Sequence, residues 1–148
     1  MVGRGNEGSK YRKIAQSLGI AEAVCVFAGT QVDGLERYYR AADIFIMLSK
    51  FDTFGMVVLE AMTAGLPVIV SPNVGAKDLV VEGDNGFILP EPEDTSTAAD
   101  RIVWLVDPIQ RETMGAAAKQ EADQSGWGRL TDRIAELYDL KLNAKAAM

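Results

Sequence analysis

The sequence of 148 residues contains no histidine and a single cysteine, and each shortage excludes a class of chemistry. Without histidine, the chain cannot build a Ser-His or Cys-His nucleophile pair or a histidine metal site. Cys25 has no second cysteine for a disulfide and cannot form a cysteine-based zinc site. No apolar run approaches the roughly 20 residues of a membrane span, and the first residues lack a signal-peptide pattern. We therefore expect a soluble cytoplasmic domain whose polar chemistry depends on carboxylates, lysine, arginine and backbone groups.

The charge balance is acidic, with 15 Lys and Arg residues against 21 Asp and Glu residues and a formal net charge of −6. Nonspecific nucleic-acid binding needs a basic surface, so this balance argues against a nucleic-acid partner. The length is that of one domain with an adequate core rather than two. We predict a single domain over residues 1–148.

Short apolar runs rich in Val, Ile and Phe alternate with longer helical patterns. This alternation predicts an α/β fold with a Rossmann-like, doubly wound parallel sheet, followed by C-terminal helices within residues 94–145. The predicted strands are residues 24–28, 43–48, 67–71 and 86–89. The predicted helices are one from a cap at Asn6 to Gly19, one opened by a capping box of Asp33 and Glu36, and those over residues 54–64, 94–106, 107–124 and 129–144, where Asp107 is the cap and Pro108 the first helical residue of the fifth.

Parallel sheets of this type bind ligands outside the carboxyl ends of their strands. The loops that follow predicted strands are therefore the places to look for a site. These loops are residues 3–8, 29–33, 49–54 and 71–78.

Residues 49–72 carry the clearest signal, because two acids bracket the start of an apolar helix. Asp52 precedes the predicted helix of residues 54–64, and Glu60 lies eight positions further on, inside it. A helix that is apolar nearly all round is typical of a buried element, and a buried carboxylate needs a partner. The alternative is that Glu60 lies on a solvent-facing side of the helix or makes a structural hydrogen bond to backbone.

The start of the same helix also predicts an anion site. The first N–H groups of a helix, here from Phe54 to Val57, have no partner within the helix, and Gly55 allows a ligand to approach the backbone. The order is thus carboxylate, anion site, carboxylate. It suits a nucleotide sugar, whose hydroxyl groups would face the acids and whose diphosphate would face the N–H groups.

The run Asp-Thr-Phe-Gly-Met-Val-Val-Leu-Glu from Asp52 to Glu60, followed by Ala-Met-Thr-Ala-Gly-Leu-Pro-Val-Ile, resembles the acidic signature of retaining GT-B glycosyltransferases, especially family 4. The likeness extends along essentially the whole chain. It includes Val-Gly-Arg-Gly at residues 2–5, Val-Phe-Ala-Gly at 26–29, the Ala-Ala-Asp run within 39–48, Glu-Gly-Asp-Asn-Gly-Phe-Ile-Leu at 82–89, Asp107-Pro108 and Trp127. The resemblance implies the C-terminal, donor-binding domain of such an enzyme.

The resemblance also implies roles for single residues. Glu60 matches the acid that hydrogen-bonds the ribose hydroxyls. Asp52 matches the acid beside the donor sugar, at a position where the family usually carries the longer Glu, and the two are the predicted catalytic residues. Lys77 lies in a run that resembles a loop near the cleft, where it would face phosphate. Backbone N–H groups of Phe54, Gly55, Met56 and Val57 would contact sugar and phosphate, while Gly3, Arg4, Gly5, Gly29 and Thr30 would border the nucleobase; a solvated loop position is the alternative for Arg4.

The resemblance further implies parts that the sequence does not contain. The family's domain normally begins with another strand and helix that carry an Arg and Lys clamp for the diphosphate, and an acceptor-binding domain precedes it. We therefore expect a partial domain that is inactive alone and that self-associates through an unpaired sheet edge. For the full-length enzyme, the alternative to a purely cytoplasmic location is a peripheral position at the inner membrane.

Three functions remain open from the sequence. The first is the donor-binding part of a retaining glycosyltransferase that uses a UDP-, GDP- or ADP-sugar, needs no metal, and builds a glycan or glycolipid. The second is a non-catalytic nucleotide-binding or scaffold module of the same ancestry. The third interprets Asp52 and Glu60 as the acid/base pair of a glycoside hydrolase, although the helix start between them favours phosphate.

Overall fold

The computed structural model describes residues 2–3, 8–28, 32–126, 128 and 131–138. These residues fall into two compact units, one that ends at Arg40 and one that begins at Ala41. Each unit has its own parallel sheet. The prediction of a single domain stays a prediction.

The first unit pairs two short strands and carries two helices. Residue Val2 faces Phe27 in a parallel register, and Gly3 faces Ala28. The first helix ends where the sequence predicts, because Gly19 adopts φ 69° and its N–H donates to the Gln16 carbonyl at 3.0 Å. The elements are β1 (Val2–Gly3), α1 (Gly8–Ser17), a 3₁₀ turn (Ala21–Ala23), β2 (Phe27–Ala28) and α2 (Val32–Arg40).

The predicted capping box of α2 is wrong. The helix begins at Val32, so Asp33 lies inside the first turn rather than before it. The Glu36 carboxylate instead pairs with Arg40 one turn later, with Oε1 and Nη2 2.6 Å apart. Glu and Arg four residues apart lie on one helix face, and this local pairing removes the side chain that the box requires. The predicted cap of α1, Asn6, lies outside the described residues.

The second unit is a three-stranded parallel sheet flanked by helices, in the strand order β3-β4-β5. The register aligns Ile46 with Ile69 and Ile69 with Phe87. The elements are β3 (Phe45–Met47), α3 (Met56–Thr63), β4 (Val68–Val70), a 3₁₀ turn (Gly75–Leu79), β5 (Gly86–Ile88), α4 (Thr95–Trp104) and α5 (Pro108–Gln124), and residues 131–138 are also helical. Every predicted strand exists, each shorter than predicted.

The central strand β4 is buried along its whole length, as a strand covered on both faces should be. Its Ile69 packs in a cluster that also contains residues from β5, α4 and α5 and the positions next to them. The cluster comprises Ile69, Phe87, Leu89, Ala98, Leu105 and Met114. Among the described residues, no helix is both long and apolar enough to cross a membrane.

Two helices of this unit begin with an aspartate cap. Asp94 accepts a hydrogen bond from the Thr97 N–H at 3.0 Å, and the same bond, with a second from the Thr97 hydroxyl, lowers the pKa of Asp94. Asp107 accepts one from the Ile109 N–H at 2.8 Å, with Pro108 as the first helical residue. The predicted start of α5 is thus confirmed.

Helix α3 ends in a left-handed glycine against which α5 packs closely. Gly65 adopts φ 81°, and its N–H donates to the Met62 carbonyl at 2.9 Å. A Cβ on Gly115 of α5 would lie 2.2 Å from the Gly65 carbonyl oxygen. Only a glycine at position 115 permits this contact, which holds α3 against α5.

Candidate functional site

The loops that follow β3 and β4 are joined through their backbones. The Asp52 N–H donates to the Asn73 carbonyl and the Gly75 N–H donates to the Asp52 carbonyl, both at 3.1 Å. The Ala76 N–H also donates to the Phe54 carbonyl. Asp52 and Val74 therefore form an isolated parallel bridge beyond the ends of the strands. The two loops make one surface at the carboxyl edge of the sheet, where the fold predicts a ligand.

The side chain of Asp52 is turned onto its own loop. Its Oδ1 accepts a hydrogen bond from the Phe54 N–H at 3.0 Å, which is the geometry of an Asx turn. Asp52 is half-buried. The prediction that the Phe54 N–H is free for a ligand is therefore wrong, because the short aspartate side chain has already satisfied it.

Helix α3 begins at Met56 rather than at Phe54, and it has no side-chain cap. Gly55 is the capping residue, with φ 82° and ψ 50°, and it offers no acceptor other than its carbonyl, which accepts from the Val58 N–H at 2.8 Å. The first N–H groups of a helix lack partners in the preceding turn and carry partial positive charge. The N–H groups of Met56 and Val57 are thus the part of the predicted anion site that this geometry favours.

Glycines make the contact between the two loops possible. A Cβ on Gly55 would lie 2.6 Å from Val74 Cγ1, and its positive φ disfavours any other residue. A Cβ on Gly75 would lie 2.2 Å from the Thr53 carbonyl oxygen. The loops interlock at the backbone, so the start of α3 is held by the segment after β4. Close approach of a ligand to Gly55 stays a prediction.

Glu60 lies on the exposed face of α3. Val58, Ala61 and Met62 are buried, whereas Met56 and Glu60, one turn apart, are exposed. The prediction of a buried carboxylate is wrong, and the alternative of a solvent-facing side is correct. The physical reason is that this short helix covers the core with one face only, and the apolar Met56, 43% exposed, stands on the other. Contact of Glu60 with a ligand stays a prediction.

An ion pair crosses the same edge of the sheet. Lys50, after β3, places its Nζ 2.8 Å from Oε1 of Glu93, after β5. The hydrogen bond between them raises the pKa of Lys50 and lowers that of Glu93. No spacing rule links residues so distant in sequence, so this pair is not predictable from the sequence. Lys77 lies in the 3₁₀ turn after β4 and is half-buried.

The residues predicted beside the nucleobase are only partly described. Gly3 is the last residue of β1, in the first unit. Arg4, Gly5, Gly29 and Thr30 lie outside the described residues. That these residues form one binding site with Asp52 and Glu60 stays a prediction. Within the part of the chain that the structure describes, no three His, Cys, Asp or Glu side chains are grouped so as to hold a metal ion.

Comparison with known proteins places these features in a family. The family described as glycosyl transferases group 1 matches residues 1–121. Sulfoquinovosyl transferase SQD2 of Arabidopsis thaliana is 38% identical over 114 residues, which cover 74% of this chain and 22% of the relative. D-inositol 3-phosphate glycosyltransferase of Corynebacterium jeikeium (strain K411) is 33% identical over 136 residues, or 91% of this chain and 32% of the relative. The chain thus spans between about a fifth and a third of the length of these curated relatives.

A solved structure agrees in fold. HepE of Anabaena in complex with UDP-glucose superposes with a TM-score of 0.75 at 25% identity, over 93% of this chain and 39% of HepE. The parallel sheet flanked by helices matches the Rossmann-like GT-B fold of such neighbours, which confirms the predicted fold class.

Proposed function

Because the chain belongs to the glycosyl transferases of group 1, we propose that it supplies the donor-binding part of a retaining glycosyltransferase. The donor would be a nucleotide diphosphate sugar, and the product a glycan or glycolipid. The observation that supports this best is the uncapped start of α3, at the carboxyl edge of the sheet, between Asp52 and Glu60.

In this proposal, the diphosphate binds at the start of α3. The N–H groups of Met56 and Val57 donate to its oxygens, and the helix dipole favours its negative charge. Glu60 is exposed one turn after Met56 on the same face, so its carboxylate is within reach of a ligand that occupies the helix start. Carboxylates accept hydrogen bonds from vicinal hydroxyls, which suits the ribose of the nucleotide.

The catalytic role of this surface would be electrostatic. Transfer with retention breaks the bond between sugar and diphosphate, and preorganised N–H donors stabilise the charge that develops on the leaving group. We propose that this requires no metal. It also requires an acceptor held beside the sugar, so we expect no transfer by this chain alone. Self-association through a sheet edge is a separate proposal, which sedimentation velocity would test.

Titration calorimetry with UDP, GDP, ADP and UDP-glucose tests donor binding, with EDTA present in a parallel series. We expect one of the three nucleoside diphosphates to bind, with and without EDTA. Glu60→Gln should weaken this binding about tenfold or more, since hydrogen bonds to charged groups contribute about 1.5–3 kcal/mol. Glu112→Gln, an equal change at an exposed position of α5, is the matched control and should leave the affinity unchanged.

Two outcomes would contradict the proposal. If the wild-type chain binds none of the nucleotides, a non-catalytic scaffold becomes the better interpretation of its function. Uridine, which lacks the diphosphate, is titrated as a control. If it binds as tightly as UDP, the diphosphate makes no contact at the start of α3. HepE is the reason to include UDP-glucose, because that protein is described in complex with it.

A further inference from the structure

Asp52 makes three hydrogen bonds to the backbone of the second unit. Its N–H donates to the Asn73 carbonyl, its carbonyl accepts from the Gly75 N–H, and its Oδ1 accepts from the Phe54 N–H. We propose that Asp52 is a positioning residue, which sets the start of α3 through this turn, rather than the acid that contacts the donor sugar. The ligand part of this inference rests on the proposed function.

The geometry connects Asp52 to the proposed anion site by a short path. The Asx turn directs the chain from Asp52 to Phe54, and the Phe54 carbonyl is then held by the Ala76 N–H. Gly55 follows in the left-handed region, and Met56 opens the helix. Phe54, which lies between Asp52 and Gly55, is therefore held at both its N–H and its carbonyl. Release of the turn would change the direction of those N–H groups.

The length of the side chain supports the same assignment. Aspartate and asparagine hydrogen-bond to the backbone N–H two residues on, whereas the extra methylene of glutamate disfavours this ring. The shorter acid fits the turn observed here, and it draws the carboxylate toward the loop backbone. Charge and turn geometry are thus separable at this position by mutation.

Three substitutions separate the two roles. Asp52→Asn keeps the acceptor and the turn but removes the charge. Asp52→Glu keeps the charge but loses the turn, and Asp52→Ala loses both. The first measurement needs no ligand: it is the exchange rate of the Phe54 amide with water, followed by NMR. The second is the affinity for UDP and for UDP-glucose, measured separately for each variant.

A positioning role predicts one pattern. The Phe54 amide should exchange about fivefold faster or more in Asp52→Glu and Asp52→Ala than in the wild type, and near the wild-type rate in Asp52→Asn. UDP and UDP-glucose should lose affinity together, about tenfold in Glu and Ala variants, and within about twofold in the Asn variant. If Asp52→Ala does not fold, the Asn and Glu variants still decide between the roles.

Either of two results would overturn the inference. The first is unchanged Phe54 exchange in both Asp52→Glu and Asp52→Ala. The second is loss of UDP-glucose affinity, but not of UDP affinity, in Asp52→Asn with retention in Asp52→Glu, since a charged contact to the sugar would behave so. If no nucleotide binds the wild type, the proposed function fails, while the exchange rates still test the turn.

Discussion

Three helices of the second unit begin in two different ways. Helices α4 and α5 each start with an aspartate whose side chain accepts a hydrogen bond from an N–H of the first turn, Asp94 for α4 and Asp107 for α5. Helix α3 starts with Gly55, which has no side chain to offer. In α4 and α5 the capping side chain accepts a hydrogen bond from one N–H of the first turn. In α3 no side chain does so, and the N–H groups of Met56 and Val57 are available to a ligand.

The location of the uncapped helix gives this difference its meaning. The start of α3 lies where the loops after β3 and β4 are hydrogen-bonded to each other, at the carboxyl edge of the sheet. Proteins that depart from locally favourable choices usually do so at functional sites. The carboxylate of Asp52 accepts a hydrogen bond from the Phe54 N–H just before the helix, which holds the loop while Met56 and Val57 stay uncapped.

The strongest way to break the uncapped start is Gly75→Ala. Its Cβ would lie 2.2 Å from the Thr53 carbonyl oxygen, so the loop before α3 must shift. We expect the free energy of unfolding to fall by about 2–3 kcal/mol, as for overpacking, and UDP affinity to fall about tenfold. Urea unfolding and calorimetry measure the two effects.

Gly115→Ala is the matched control, because its Cβ would also lie 2.2 Å from a carbonyl oxygen, that of Gly65 at the far end of α3. We expect a similar loss of stability but unchanged UDP affinity at a temperature where both variants are folded. Equal loss of affinity in the two variants would mean that binding depends on stability alone and not on the loop.

A smaller effect is expected where a cap is removed from a helix remote from the proposed ligand. Asp107→Ala should lower the free energy of unfolding by about 1 kcal/mol, because the Ile109 N–H loses its acceptor. Asp107→Asn should retain most of the stability, since asparagine caps equally well. UDP affinity that falls with Asp107→Ala would contradict the separation of capped and uncapped helices.

The smallest effect concerns acid. Hydrogen bonds from Thr97 lower the pKa of Asp94, so this carboxylate contributes stability that is present above the ordinary aspartate pKa of about 3.9 and is lost as the pH falls through its lowered value. Asp94→Asn should therefore be slightly less stable at pH 7 and should lose less stability between pH 7 and pH 3. Urea midpoints at the two pH values test this; equal losses in both proteins would contradict it.

Much of the fold is predictable from the sequence because it depends on local patterns. Apolar runs mark all four predicted strands, and the pair Asp107 and Pro108 marks the start of α5. Gly19 and Gly65 mark helix ends because both need a positive φ. The capping box at Asp33 is wrong because α2 begins at Val32 and because the Glu36 carboxylate pairs with Arg40 instead.

The candidate site is only partly predictable. Residues Asp52 and Glu60 are recognisable as a spaced pair, yet their surroundings are not. Burial of a helix face depends on what packs there, so the exposure of Glu60 does not follow from the composition of α3. The ion pair of Lys50 and Glu93 depends on two loops meeting at the sheet edge. The roles of both acids toward a ligand stay predictions.

By itself, the sequence determined the family, the parallel sheet, and the segment that carries the acids, because periodicity, glycine positions and local motifs act over a few residues. The tertiary structure decided which N–H groups remain uncapped, which backbone group the Asp52 carboxylate meets, and that Glu60 is exposed. Those outcomes depend on contacts between segments far apart in the chain, such as Gly75 against Thr53 and Asp52 beside Asn73. An absence of histidine excludes whole mechanisms at once, whereas the orientation of one aspartate requires two loops to meet.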